Sequence, residues 1–306
     1  MKFPLFLTSL LAAVPISANA QAIDTKHEPV ELNFRYQAGK SYVSKMINKS
    51  SSKVMVEGQN MGTDQTMTMD FTIKVDAIEG SENVKSTITY DRISMKMTTM
   101  GQEMNFDSAK PETLNGNPLG SMATMAGKSL TATITPEMEF IDLKGVDKLF
   151  EGLGEGAEMA RAMFSDEQLK QMMGSQVIAM MPKKKVKSGD EWPYKVTTPM
   201  GPLGNMMMEG TSAMKGVLTK DESKFAVVAY TAKVKSKAGD EPGQLGMAME
   251  IKDGKMESSY HFDLTEGYVT ESTTKMSMTI LMNAPGQEQK LSIPSNSTVT
   301  ITTKMK

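Results

Sequence analysis

The sequence predicts an α+β protein, mainly antiparallel β, with its strands in one or more curved sheets or a half-barrel around a central helical segment. Three observations point there. Met67, Met69, Phe71, Ile73 and Val75 alternate strictly with Thr, Asp and Lys, the period of a half-buried strand with one apolar face. The same pattern returns late at Met276, Met278, Ile280 and Met282. Between them, residues 144–182 change to helix-like composition.

Residues 1–20 read as a signal peptide: Met1-Lys2 is a short positive start, Leu5–Ile16 is largely apolar, and Ala18-Asn19-Ala20 fits a cleavage site. That apolar run is shorter than the roughly 20 residues of a membrane-spanning helix. Cleavage near Ala20 predicts a secreted or periplasmic chain without a transmembrane anchor, with His27 in a loose N-terminus.

Residues 21–143 form the first β region. Glu79–Asn83 turns the chain, and Val84–Tyr90 with Ile93–Met100 forms the return strand, bulged near Asp91-Arg92. A short helix is expected over 118–126, where Leu119, Met122, Ala123 and Met125 recur, followed by a hairpin of Leu130–Thr135 with Met138–Ile141.

Residues 144–182 are expected to be a helical linker. Gly152-Leu153-Gly154-Glu155-Gly156 breaks it; without a G-K-[ST] ending and with two carboxylates it is not a phosphate loop. Ser165-Asp166-Glu167-Gln168 is a capping box, and Pro182 ends the segment.

Residues 183–306 form the second β region. Asp253-Gly254 predicts a type I′ hairpin, Met256, Tyr260, Phe262 and Leu264 share one face, and Val299, Ile301 and Met305 mark the last strand. The two β regions read as copies. Gly39-Lys40-Ser41-Tyr42 and Gly189-Asp190-Glu191-Trp192 open them 150 residues apart, while Ile78, Glu82 and Tyr90 match Leu218, Glu222 and Tyr230 at a shift of 140.

The signal peptide, these paired openings, Met181-Pro182-Lys183 before Val186–Trp192, and the Asp253-Gly254 signal together resemble an uncharacterised family of secreted bacterial β-rich proteins. More loosely, the layout is similar to the periplasmic lipoprotein-carrier and lipid-carrier half-barrels. That resemblance implies a curved antiparallel sheet holding acyl chains on its concave face under a helical lid. The arginine some of those carriers place in the cavity has no evident counterpart among Arg35, Arg92 and Arg161.

Composition excludes several chemistries. Of 306 residues, 39% are hydrophobic and 23% charged, with 34 Lys+Arg against 36 Asp+Glu and a mean hydropathy of -0.31. This balance provides no basic field for nucleic acid. There is no cysteine, hence no disulfide, thiol nucleophile or thiolate metal site, and His27 and His261 are the only histidines. One tryptophan and scattered carboxylates do not suit sugar hydrolysis, and no G-x-S-x-G marks a serine hydrolase. A non-enzymatic protein without cofactor is expected. His261, flanked by Tyr260 and Phe262, is expected to point to solvent, and Trp192 to anchor a strand start beneath the linker.

Methionine is the unusual residue: 31, against 18 leucines. Met can simply replace Leu in a core. Its flexible thioether also suits an adaptable apolar lining, which predicts a lipid, an acyl chain or an apolar partner segment in a groove lined by Met67, Met69, Phe71, Met95, Met97, Met276, Met278 and Met282. The alternative ligand is Cu(I), which thioethers favour, at Met95, Met97, Met100 and Met104. A further alternative is an envelope structural protein, or one that binds an envelope partner, with a Met-rich core. Met206, Met207 and Met208 follow the turn-rich Pro199–Gly204 and are expected on an exposed loop. Lys183-Lys184-Lys185 and Lys187 complement a helix end or meet anionic headgroups.

Overall fold

The computed structural model describes residues 22–56, 59–80, 82–114, 117, 120–151, 170, 179–199, 205–237, 249–283 and 290–306. The signal peptide prediction lies outside them. The strands are β1 (Ser41–Val56), β2 (Gln59–Glu79), β3 (Asn83–Thr99), β4 (Gln102–Asp107), β5 (Ser129–Ile134), β6 (Phe140–Lys144), β7 (Glu191–Pro199), β8 (Asn205–Lys220), β9 (Ser223–Lys237), β10 (Met249–Asp263), β11 (Tyr268–Asn283) and β12 (Lys290–Met305). They form one open, curved antiparallel sheet in the order β6-β5-β3-β2-β1-β12-β11-β10-β9-β8-β7, with β4 beside β3.

Hairpins explain most of this order. Connections of two to four residues join β1–β2, β2–β3, β8–β9 and β10–β11, and antiparallel neighbours follow from short connections. Asp221 and Glu222 both have positive φ, 48° and 67°, which makes the β8–β9 connection a two-residue type I′ turn. The exception to local order is the seam between first and last strands. β1 and β12 pair from Tyr42↔Met305 to Ser52↔Ser295, joining the two β regions into a single sheet.

The predicted class holds at its coarse level, mainly antiparallel β, and the expected helical segment 144–182 is described only in part, with helical backbone at 170, 179 and 180 as well as in α1, Val146–Phe150. Leu143 before α1 belongs to β6. Residues 152–169 and 171–178, including the capping box and the Gly152–Gly156 breaker, lie outside the described residues. The short helix expected over 118–126 is a 3-10 helix, Gly120–Met125, while 118 and 119 are not described. Gly120 has Leu114 carbonyl only 2.8 Å from where a Cβ would sit, a tight local winding.

Asp253-Gly254 is also corrected. It sits inside β10 as a bulge, where the β10–β11 register slips between Lys252 and Lys255 and Asp253 takes φ 53°. A positive φ serves a bulge as well as a turn.

The paired openings share a backbone pattern. Gly39, φ 83°, donates its N–H to Val75 O, and Val75 N–H donates to Lys40 O. Gly189, φ 88°, donates to Met214 O, and Met214 N–H donates to Asp190 O. A register shift follows both Val75 and Met214. Beyond the turns the equivalence runs differently from the expected shift of 140. Val75 faces Ser86 and Met214 faces Val228, so Ile88 rather than Tyr90 takes the place of Tyr230.

The N-terminal segment is packed rather than loose. Asp24 and Val30 make bridges to Val217 and Val186, and Arg35 N–H donates to Gly267 O at 2.9 Å. Leu32 is 4% exposed, and Phe34 touches the core clusters of both wings of the sheet. An extended segment with Val30, Leu32 and Phe34 at alternate positions buries one side, which is a local strand-like signal.

The Arg92–Asp107 ion pair helps hold β4 against β3. Arg92 donates to Asp107 through Nε at 2.9 Å and Nη2 at 2.5 Å, and Ala109 N–H donates to the same carboxylate. The Arg92 hydrogen bonds hold the Asp107 carboxyl down at about 2, below its ordinary 3.8. A pKa depressed by folding stabilises the native state above the unfolded value and loses that effect as pH falls through the folded value. Wild-type protein should therefore lose about 1–2 kcal/mol more stability than Asp107→Asn between about pH 5 and pH 2, measured by urea denaturation; parallel curves would refute it.

Candidate functional site

In an antiparallel sheet directly paired residues share a face, so the register maps the inner face row by row. One row runs Met97, Gln65, Ser50, Ser297, Met276 across β3, β2, β1, β12 and β11. The next runs Met95, Met67, Asn48, Val299, Thr274, and a third Ile93, Met69, Met46, Ile301, Ser272. Toward the far end come Thr99, Thr63, Ser52, Ser295, Met278. At about 4.8 Å per strand step, each row spans about 19 Å.

The predicted lining residues thus fall on one face but in two groups. Met67, Met69, Phe71, Met95 and Met97 lie on β2 and β3, and Met276, Met278 and Met282 lie on β11. Between them β1 and β12 present Asn48, Ser50, Ser52, Ser295 and Ser297. Ser297 donates to Asn48 Oδ1 at 3.2 Å, linking the two strands at the seam.

The two groups are packed to different extents. Met95 is 7% exposed in a cluster with Ile93, Phe106 and Ala123, against which Met67, Met69, Met122 and Met125 pack. Phe71 packs against the cluster of Ile88, Leu130 and Leu149, and Met276 against that of Tyr230, Met256 and Tyr260. Met67, Met69, Met97, Met276 and Met278 are half-buried. Met282 occupies the register position opposite Leu291.

The copper candidates separate. Met97 and Met104 are cross-strand partners and Met95 shares their face, whereas Met100 stands in the β3–β4 turn at φ 53° and 61% exposed.

Met206, Met207 and Met208 require correction. They open β8, paired on both sides with β7 and β9, and Met208 is 2% exposed opposite Val196 and Val234. Met206 packs against the same core. The turn-rich composition belongs to the residues before them, and 200–204 lie outside the described residues.

Charge divides the two faces. On the twelve strands, the described Asp, Glu, Lys and Arg residues occupy outer-face register positions, bulges or strand ends; the inner-face positions carry none. The outer face has ion pairs such as Lys195–Glu209 at 2.8 Å and Lys96–Glu103 at 2.9 Å. A cavity of about 370 Å³ has Lys49, Ser50, Asp64, Gln65, Lys96 and Ser297 in its lining, so that cavity is polar rather than methionine-lined. His261 lies on the outer face with Glu271 3.9 Å away.

Polar groups on the inner face are neutral. Burial pushes the Tyr194 and Tyr260 phenols well above their ordinary range. Tyr260 donates to Met180 O at 2.8 Å, and Trp192 Nε1 donates to the same carbonyl at 3.3 Å. Trp192 therefore stands at its strand start beneath residues 179–181, as expected. Of the arginines, Arg35 donates to Thr265 O at 3.0 Å, Arg92 pairs with Asp107, and Arg161 lies outside the described residues.

The hydroxyl and amide band was not singled out in the sequence. Its signal was present, since Asn48, Ser50 and Ser52 alternate with Lys49, Ser51 and Lys53. Without apolar residues at either parity, the inward side of such a stretch is unreadable until a partner strand assigns it.

Residues 81–269 match the model of a family described as a family of unknown function, DUF6263. No curated protein matches the chain. Among solved structures, one on lipid–protein interactions in lipovitellin is similar, with 11% identity and a TM-score of 0.50 over 89% of this chain and 26% of that one. The chain thus spans about a quarter of lipovitellin's length, and the likeness is one of fold. DynF from the dynemicin biosynthesis pathway of Micromonospora chersina has 8% identity, coverage of 95% and 92%, and a TM-score of 0.21. A DUF1329 family protein from Desulfovibrio piger ATCC 29098 has 9% identity, coverage of 88% and 86%, and a TM-score of 0.16. The TM-scores of these two carry no fold argument.

Proposed function

The chain belongs to the DUF6263 family, whose function is unknown, and from that premise we propose a non-enzymatic binding protein of the cell envelope that holds a lipid or acyl chain against the inner face of its sheet. The observation that carries this reading is the division of the sheet into a charged outer face and an uncharged inner face set with half-buried methionines. Water leaves such a surface at a gain of about 0.8 kcal/mol per buried CH₂, so an acyl chain binds there without a reactive residue. Flexible thioethers adapt to chains of different shape. The fold likeness to lipovitellin, a protein studied for its lipid interactions, supports the same reading. Among the described residues no helix is long and apolar enough to cross a membrane. Envelope placement rests on the signal peptide read from residues 1–20.

Native mass spectrometry and organic extraction of the purified protein are expected to yield a stoichiometric apolar molecule. Met67→Glu combined with Met276→Glu should remove it, since a carboxylate on each methionine group makes the contact costly. A wild-type protein that carries nothing and binds no fluorescent acyl probe would refute the reading.

A further inference from the structure

We propose that the bound molecule is an uncharged lipid with ester or hydroxyl groups at its centre, a diacylglycerol being the simplest example. This rests on the reading above and names its ligand class.

Two observations carry it. The first is that no described inner-face position on β1, β2, β3, β11 or β12 carries an ionised side chain. An ionised carboxylate or phosphate moved from water onto that face would lose hydration and meet no cation on the strands. Lys45, Lys49, Lys96 and Lys275 alternate to the opposite side of β1, β3 and β11.

The second is the order of chemistry along the rows. Met97–Gln65–Ser50–Ser297–Met276 runs apolar, polar, polar, polar, apolar, and Thr99–Thr63–Ser52–Ser295–Met278 repeats the polar middle. The middle is built from hydroxyls and amides, neutral groups that both donate and accept. Ser50, Gln65 and Ser297 are half-buried rather than sealed, which leaves them accessible from solvent. Ester carbonyls accept from such groups, while chains leaving the centre on either side meet Met67 and Met97 in one direction and Met276 and Met278 in the other. A pure hydrocarbon would leave the band unused, and a fatty acid anion would place its charge beside described strand positions that carry no counter-charge on β1, β2, β3, β11 and β12.

The test measures equilibrium binding of dioleoylglycerol, oleate at pH 8, dioleoylphosphatidylglycerol and squalene to the full chain. Dioleoylglycerol should bind at least tenfold more tightly than each of the others. Ser50→Ala with Ser297→Ala should weaken dioleoylglycerol about tenfold and leave squalene unchanged, two hydrogen-bonding groups being removed. If that variant misfolds by circular dichroism, Ser52→Ala with Ser295→Ala gives the same comparison. Oleate or phosphatidylglycerol binding as tightly as dioleoylglycerol overturns the inference. So does squalene binding equally well with no effect of the serine variants, and both results leave the apolar-ligand reading intact. Binding of none of the four removes that reading as well.

Discussion

Phe262→Ala is expected to destabilise the protein by about 3–5 kcal/mol, the cost of removing a large aromatic side chain from a filled core. Phe262 is 1% exposed and packs edge-on against Phe34, ring centroids 5.5 Å apart at 80°. Phe34 in turn stacks on Tyr36 at 6.0 Å, and Tyr36 meets Tyr42 edge-on at 5.6 Å. This aromatic chain ties the N-terminal segment to β10 and β1. The variant should therefore show a lower urea midpoint together with faster hydrogen exchange in residues 28–36. A loss below 1 kcal/mol would mean that the segment collapses into the space left behind, and the proposed tie would be wrong.

Gly210→Ala should be costly as well, by about 1–3 kcal/mol or more, through overpacking between strands. A Cβ there would run into the Thr231 carbonyl and lie 2.6 Å from Ala232 Cα on β9. The contacting atoms are backbone, so no side-chain rotation relieves the clash. Gly210 also lies between Tyr194 on β7 and Ala232 on β9, where the rings of Tyr194 and Tyr230 stack at 4.7 Å and 17°. The measurable signs are a reduced melting temperature and a changed near-ultraviolet tyrosine signal. An unchanged melting temperature would show that β8 and β9 separate there at little cost, against the tight pairing described.

Legibility differed element by element. The alternation at Met67–Val75 and Met276–Met282 predicted strands and their inward residues because period two is a local property of extended chain. Trp192 beneath the residues before it, and His261 turned outward, followed from the same logic. Asp253-Gly254 misled because the dipeptide specifies a positive φ and nothing about the partner. Gly254 lies close against Val234 on β9, and that neighbour makes the site a bulge inside a long strand. Met206–Met208 misled because turn signals ahead of them described residues 199–204, while pairing on both sides decided their own burial.

By itself, the sequence determined which segments are extended, which parity of each carries charge, and that no thiol is present. These follow from side chains and nearest neighbours along the chain. The tertiary structure decided that β1 meets β12, merging two regions into one sheet, and so placed a polar band between two methionine groups. Such pairing joins residues some 250 positions apart, Ser50 with Ser297 among them, and depends on backbone hydrogen bonds that carry no residue-specific mark.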